Sequence, residues 1–150
     1  MSIRIESPRQ DQVIHLLRQS NEYTLALYPA ESAYLLNIDE LDAPNVSVFV
    51  ARLEAEAVGM AALVERGDGT AEIKRMYVTA WARGHGVASD ILNALHKHAV
   101  LRGITAIQLE TGPLQPKAIA LYERHGYVRI PNFGQYVGDE FSLCFEKRLG

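Results

Sequence analysis

Cysteine is almost absent from this chain of 150 residues, in which Cys144 stands alone. A single cysteine forms no internal disulfide, so nothing in the sequence indicates an oxidising compartment. Cys144 lies in the alternating run FSLCFEKRL, where a small buried hydrophobe is the expected role. Long apolar runs are also missing, and the N-terminus has no signal-peptide core. We therefore expect a cytoplasmic protein without membrane association.

An excess of positive charge is missing too. Fifteen Lys and Arg stand against eighteen Asp and Glu, which leaves a formal net charge of −3. A general nucleic-acid binder needs a basic excess, so nucleic acid is not an expected partner. The five histidines show no spacing typical of metal ligands, and we expect no metal. What is present, 48% hydrophobic residues without repeats or biased tracts, predicts one globular domain over residues 1–150.

The chain begins with the pattern of a strand followed by a helix. Residues 2–6 alternate between apolar and polar side chains, as a strand does. Ser7, Pro8 and Gln10 then form a capping-box pattern, with Ser7 as N-cap and Pro8 as the first helical residue. We expect this helix to run to about Tyr28, because a proline follows.

The next segment predicts one further helix and three strands. Residues 30–41 have the pattern of a second short helix. Asp68-Gly69 is a hairpin signal, so consecutive antiparallel strands are expected around it. The three β-rich runs cover residues 46–53, 56–66 and 66–78.

Helical spacing returns at residue 87, where Val87, Ile91, Leu95 and Ala99 recur every four residues up to Gly103. A strand, a short helix and two last strands are expected at 104–110, 115–126, 127–130 and 140–149. The unit over 75–110 is strand, helix and strand, which requires a right-handed crossover between parallel strands. The sequence therefore predicts a mixed α+β fold with about seven mostly antiparallel strands.

A glycine turn, RGHGVA, occupies residues 83–88 at the start of the predicted long helix. Backbone N–H groups at a helix start attract anions, and glycines let the chain approach phosphate oxygens closely. A P-loop would need Lys-Ser or Lys-Thr after a longer gap, and a dinucleotide fingerprint would need glycine where Ser89 stands. A purely structural turn would also produce this pattern.

The run Arg83 to Ala88 resembles the Arg/Gln-x-x-Gly-x-Gly/Ala signature of the GNAT superfamily, the acyl-CoA-dependent N-acyltransferases. The segments EIKRMYV, AIALYERHGY and FEKRL resemble that family's fourth strand, later helix and last strand. The order of elements matches as well, so the resemblance covers nearly the whole chain. It implies a central mixed sheet with helices on both faces.

The resemblance implies acetyl-CoA as cosubstrate. Arg83 and the amides from Gly84 to Ala88 would hold its pyrophosphate, and the pantetheine arm would lie along the fourth strand as an added strand. Gln115 stands where the family often has Asn, which would alter a side-chain contact to the cofactor. The expected cofactor-binding residues are Met76, Tyr77, Val78, Arg83, Gly84, His85, Gly86, Val87, Ala88 and Gln115.

Catalysis by this family requires a neutral amine. An alkylammonium is only about 0.1% neutral near pH 7.4, so a base is useful. The resemblance implies that Glu72 is this base and that Tyr122 protonates the departing thiolate. Strict alternation, however, puts Glu72 and Lys74 on one strand face, where a simple ion pair or a bulge would also account for them. Tyr122 also fits a core position. The resemblance further implies that a backbone N–H of Tyr77 or Val78 stabilises the oxyanion.

The acceptor site is expected between the two N-terminal helices and the last hairpin. Candidate substrate-binding residues there are Tyr28, Glu31, Ser32, Asn132 and Tyr136. The predicted acceptor is a small-molecule primary amine or an amino acid. A protein N-terminus or lysine, and a non-catalytic acyl-CoA sensor, are the alternatives. The sequence leaves the oligomeric state open, a homodimer included.

Overall fold

The computed structural model of the chain describes residues 1–150 and contains one seven-stranded sheet in the order β1-β2-β3-β4-β5-β7-β6. Its strands are β1 Ser2–Ile5, β2 Val46–Leu53, β3 Glu56–Glu65, β4 Thr70–Val78, β5 Ala106–Thr111, β6 Val128–Ile130 and β7 Leu143–Arg148. Strands β4 and β5 pair in parallel, and every other pair is antiparallel. The predicted mixed α+β fold with one parallel crossover is confirmed.

Four α-helices accompany the sheet: α1 Asp11–Leu27, α2 Ile38–Leu41, α3 Val87–Leu101 and α4 Pro116–Arg124. The stripe predicted for α3 is buried completely at Ile91, Leu95 and Ala99, in the larger of two apolar cores. The smaller core joins α1 and α2 to strands β2 and β3 on the other side. No helix combines the length and apolar character that a bilayer span requires.

The start predicted for α1 is wrong by three residues. Gln10, in extended conformation, is the N-cap, and no side chain caps the helix. The Ser7 hydroxyl instead accepts the Arg9 N–H at 3.1 Å, and the Gln10 side chain donates to the Ser7 carbonyl at 2.8 Å. The polar side chains therefore close a turn before the helix rather than capping its first amides.

The continuous helix predicted over 30–41 is also wrong. A 3-10 turn at Ala30–Ser32 is followed by Tyr34 in the left-handed region, with φ of 48°. The Tyr34 hydroxyl donates to Asp139 Oδ2 at 2.6 Å, a long-range contact that no local pattern predicts. Helix α2 then starts from a capping box formed by Asn37 and Glu40.

Strand β4 has a bulge at Arg75, whose φ is 58°. The register with β3 shifts between Met60 and Ala62, so strict alternation ends at this point. Beyond the bulge, Met76 packs against the α3 core and Tyr77 against the α1 core. Strands β4 and β5 pair only over the stretch Thr70 to Ile73, which leaves a gap between their ends.

Candidate active site

The glycine turn gives α3 an open N-terminus. Gly84 and Gly86 have φ of 80° and 78°, and Gly86 is the N-cap without any side-chain cap. The N–H of Asp90 donates to the Gly86 carbonyl at 3.0 Å. The amides of Val87 to Ser89 therefore precede the helical ladder and remain available to an anion.

Arg83 is held at the edge of this turn. Its Nε donates to the Val78 carbonyl at 2.9 Å, and its guanidinium lies 5.2 Å from the Tyr23 ring centroid and 5.4 Å from that of Tyr77. Lys117 and Arg124 of α4 line the same cleft and bring two more cations. Neither was among the predicted cofactor residues, because only the tertiary structure brings α4 to this cleft.

The cleft has a volume of about 570 Å³ and runs from the glycine turn to the gap between β4 and β5. Nine of the ten predicted cofactor residues line it; the exception is His85, which is exposed and lies outside the wall. Uncapped amides, three cations and a strand end without a partner match the diphosphate and pantetheine parts of coenzyme A. The residues present therefore fit this cosubstrate.

A second cavity of about 140 Å³ adjoins the cleft. The two share six lining residues from α1, β4 and α4: Ser20, Thr24, Met76, Gln115, Ala118 and Leu121. Aromatic side chains of Tyr28, Tyr34, Tyr136 and Phe141 form much of the remaining wall. We call this space the acceptor cavity, because it adjoins the cleft that fits the cosubstrate.

Glu110, at the end of β5, lines the acceptor cavity and was not among the predicted residues. The Ser142 hydroxyl donates to its Oε2 at 2.7 Å. Burial raises the pKa of the Glu110 carboxyl to about 7, against the hydrogen bond from Ser142. Its signal in the sequence was a carboxylate in a strand that is apolar at Ala106, Ile107 and Leu109.

Glu72 lies behind the cavity wall rather than on it. Its side chain accepts a 2.7 Å hydrogen bond from the Tyr136 hydroxyl, and Arg66 and Lys74 lie 3.4 and 3.7 Å from its oxygens. The ion pair with Lys74 that the sequence left open is thus present. It is a buried arrangement, however, since Glu72 is only 9% exposed.

Tyr122 lines the acceptor cavity from α4 and is 5% exposed. Burial, and then the charge of Glu110, raises the pKa of its hydroxyl. The ring also packs edge-on against Tyr127 at a centroid distance of 5.7 Å. Tyr122 therefore belongs both to the larger core and to the cavity wall.

The predicted acceptor residues divide into two groups. Tyr28, Ser32 and Tyr136 line the cavity. Glu31 is exposed and does not reach it, and Asn132 instead donates to the Tyr136 carbonyl at 3.0 Å, which stabilises the loop before β7. Lys74, Arg75, Tyr34 and Phe141 are cavity residues that the sequence did not reveal.

Tyr28 also connects the cavity wall to the segment before α4. Its hydroxyl donates to Gln115 Oε1 at 3.1 Å and accepts the Leu114 N–H at the same distance. The side-chain oxygen of Gln115 is thus already bound within the protein. Elsewhere, no three His, Cys, Asp or Glu side chains come together as a metal-binding group.

Comparison with known proteins agrees with this geometry. Residues 11–127 match the model of the acetyltransferase (GNAT) family. The chain is 38% identical to IAA acetyltransferase of Azospirillum brasilense, over 99% of this chain and 98% of that protein. It is 31% identical to human N-acetylaspartate synthetase, over 71% of this chain but only 35% of that larger protein.

The fold comparison points the same way. A Klebsiella pneumoniae protein classed as an acyl-CoA N-acyltransferase superposes with a TM-score of 0.84 at 31% identity, over 99% of this chain and 97% of that one. The uncapped start of α3 and the gap between β4 and β5 fit the cosubstrate of such an enzyme. The chain belongs to the GNAT family and is an acetyl-CoA-dependent N-acetyltransferase.

Proposed function

We propose that this enzyme acetylates the primary amine of a small molecule or amino acid, by direct attack on the thioester of acetyl-CoA. One observation carries the proposal: Glu110 and Tyr122 lie on the wall of a small cavity that continues the coenzyme cleft. An amine in this cavity would have a base beside it and the thioester at its open end.

We assign the role of base to Glu110. A general base works best with a pKa near the working pH, and burial brings that of Glu110 to about 7. It would take a proton from the acceptor amine as the C–N bond forms and the C–S bond breaks. Glu72, the alternative base, would act more remotely, by orienting Tyr136 and Lys74.

Tyr122 would serve the leaving thiolate. Its raised pKa keeps the hydroxyl protonated at neutral pH, so it can donate a hydrogen bond to the sulfur. A raised pKa also makes complete proton transfer costlier, and a hydrogen-bond donor is therefore the role that the environment favours.

The amide of Val78 is our candidate for the oxyanion contact. The Thr79 N–H donates to the Val58 carbonyl on β3. Because successive amides along a strand point to opposite sides, the Val78 amide faces away from β3, toward the gap. Tyr77, the other candidate, would point its amide to β3.

Two considerations favour a small acceptor over a polypeptide. The acceptor cavity, at about 140 Å³, lies below the roughly 300–1,000 Å³ typical of pockets for drug-sized ligands. A protein substrate would need an open groove instead. The names of two relatives, IAA acetyltransferase and N-acetylaspartate synthetase, also refer to small molecules.

The test measures thiol release from acetyl-CoA with a panel of small amines, amino acids, and peptides with free N-termini or lysines. We expect release with small acceptors and little with peptides. Release with peptides alone would overturn the small-acceptor proposal. Binding of coenzyme A by calorimetry without any thiol release would favour a non-catalytic sensor.

A further inference from the structure

The charged groups of the acceptor cavity are unequal. Two cations, Lys74 and Arg75, line it from β4, and Glu110 is its only carboxylate. With the pKa of Glu110 near neutrality, this negative charge is partial at pH 7. The cavity therefore holds more positive than negative charge.

Arg75 has no acidic partner within ion-pair distance. Its Nη2 donates to the Ser20 hydroxyl at 2.9 Å and to Asn21 Oδ1, which are both neutral groups. Its Nε is buried and has no hydrogen-bond partner. A guanidinium removed from water without a counter-charge is costly, and the bulge with positive φ that carries it adds strain.

Lys74 is only partly compensated. Its Nζ lies 3.7 Å from Glu72 Oε2, and that carboxylate also serves Tyr136 and Arg66. The ammonium lies 5.5 Å from the Tyr136 ring centroid, at the cavity wall. It retains the capacity to bind a second anion.

We propose that the acceptor is a small amino acid, whose carboxylate is bound by Arg75 and Lys74 while its amine faces Glu110. This inference rests on the proposed function and specifies its substrate class. The Nη2 of Arg75 already donates to Ser20 and Asn21, so a carboxylate oxygen would accept from its Nη1, a charge-assisted hydrogen bond that supplies the charge Arg75 lacks. The two cations would also disfavour an ammonium beside them, which promotes the neutral, nucleophilic amine.

The experiment compares matched acceptors that differ only in the carboxylate: alanine with alaninamide, and β-alanine with its amide. At pH 7 a larger fraction of the amine is neutral in the amides than in the acids. The amides are therefore the better nucleophiles, and the comparison is biased against the proposal. Because hydrogen bonds to charged groups are the strong ones, we expect kcat/KM of the wild-type enzyme to favour the acids by about 10- to 100-fold.

Arg75→Gln should nearly abolish this preference, mainly through KM, and Arg75→Lys should restore part of it. Arg4→Gln is the matched control, because Arg4 is exposed on β1 at the far edge of the sheet. A second readout needs no catalysis: the amino acid should raise the Tm of the wild-type protein but not that of Arg75→Gln.

The inference is overturned if the amides react as well as the acids, or if Arg75→Gln keeps the full preference. Preference for 2-aminoethyl phosphate over the amino acids would also overturn it, since the anion bound would then be a phosphate. The proposed function fails in a different way, by the absence of thiol release with every small acceptor, acid or amide.

Discussion

The hydroxyl of Tyr136 donates a 2.7 Å hydrogen bond to Glu72 in a buried part of the molecule. Burial, and then the charge of Glu72, raises the pKa of this tyrosine, so it remains a donor. Arg66 and Lys74 approach the same carboxylate. Glu72 is thus engaged by three partners, whereas Glu110 lies on the wall of the acceptor cavity.

Replacement of each carboxylate separates their roles. We expect Glu110→Gln to lower kcat by about 100- to 10,000-fold, because the loss of a general base has effects of this size. In wild-type enzyme kcat should fall as pH drops below about 7, as Glu110 becomes protonated. The Glu72→Gln variant should keep this fall in kcat at low pH, which is the acidic limb of the pH profile. If instead Glu72→Gln loses the limb and Glu110→Gln keeps it, Glu72 is the base.

Tyr122→Phe should lower kcat by about 10- to 100-fold, because the thiolate leaves without a hydrogen-bond donor. The KM for acetyl-CoA should change little, since Tyr122 lines only the acceptor cavity. Steady-state kinetics and urea unfolding of the same sample check this. Wild-type turnover combined with reduced stability would show that Tyr122 is a core residue alone.

Gly86→Ala should weaken acetyl-CoA binding, because a methyl group would stand at the mouth of the phosphate cradle. Gly103→Ala is a matched control at the other end of α3: its φ of 75° is close to the 78° of Gly86, and both sites are open to a Cβ. The two variants should therefore lose similar stability, about 1 kcal/mol. Only Gly86→Ala should raise the KM for acetyl-CoA, and an equal rise in both would contradict the assigned cradle.

Gly112→Ala should damage the cavity wall. A Cβ at Gly112 would lie 1.9 Å from the Tyr28 hydroxyl, so the tyrosine must move and lose its bonds to Leu114 and Gln115. We expect a loss of about 1–3 kcal/mol in unfolding free energy. In a double-mutant cycle, adding Gly112→Ala to Tyr28→Ala should cost far less. Additive losses would exclude the clash as the cause.

Glu110 should also affect the pH dependence of stability. Its pKa rises from 4.5 to about 7 on folding, so the folded state binds more protons between these values and stability falls as pH rises through them. Glu110→Gln removes this penalty, so its stability relative to wild type should rise by about 3 kcal/mol between pH 4 and pH 8. Urea unfolding at both pH values tests this, with the exposed Glu123→Gln as control. If the difference in unfolding free energy between Glu110→Gln and wild type is the same at both pH values, the raised pKa is contradicted.

The sequence by itself determined the parts of this enzyme that depend on local patterns. Apolar spacing located α3, and the order of elements predicted the parallel crossover. The glycines at 84 and 86 predicted the open turn before α3, because a left-handed backbone at a helix start favours glycine. Nine of the ten residues predicted to bind the cofactor line one cleft, and eight of these nine lie in the single segment from Met76 to Ala88.

Only the tertiary structure decided the chemistry of the acceptor end. The bulge at Arg75 interrupts the alternation on which strand faces were predicted, and Tyr34 leaves helical geometry to reach Asp139. Glu110 acquires its raised pKa from burial beneath residues distant in the chain. Such properties arise from long-range contacts and from exclusion of water, and neither leaves a periodic trace in the sequence.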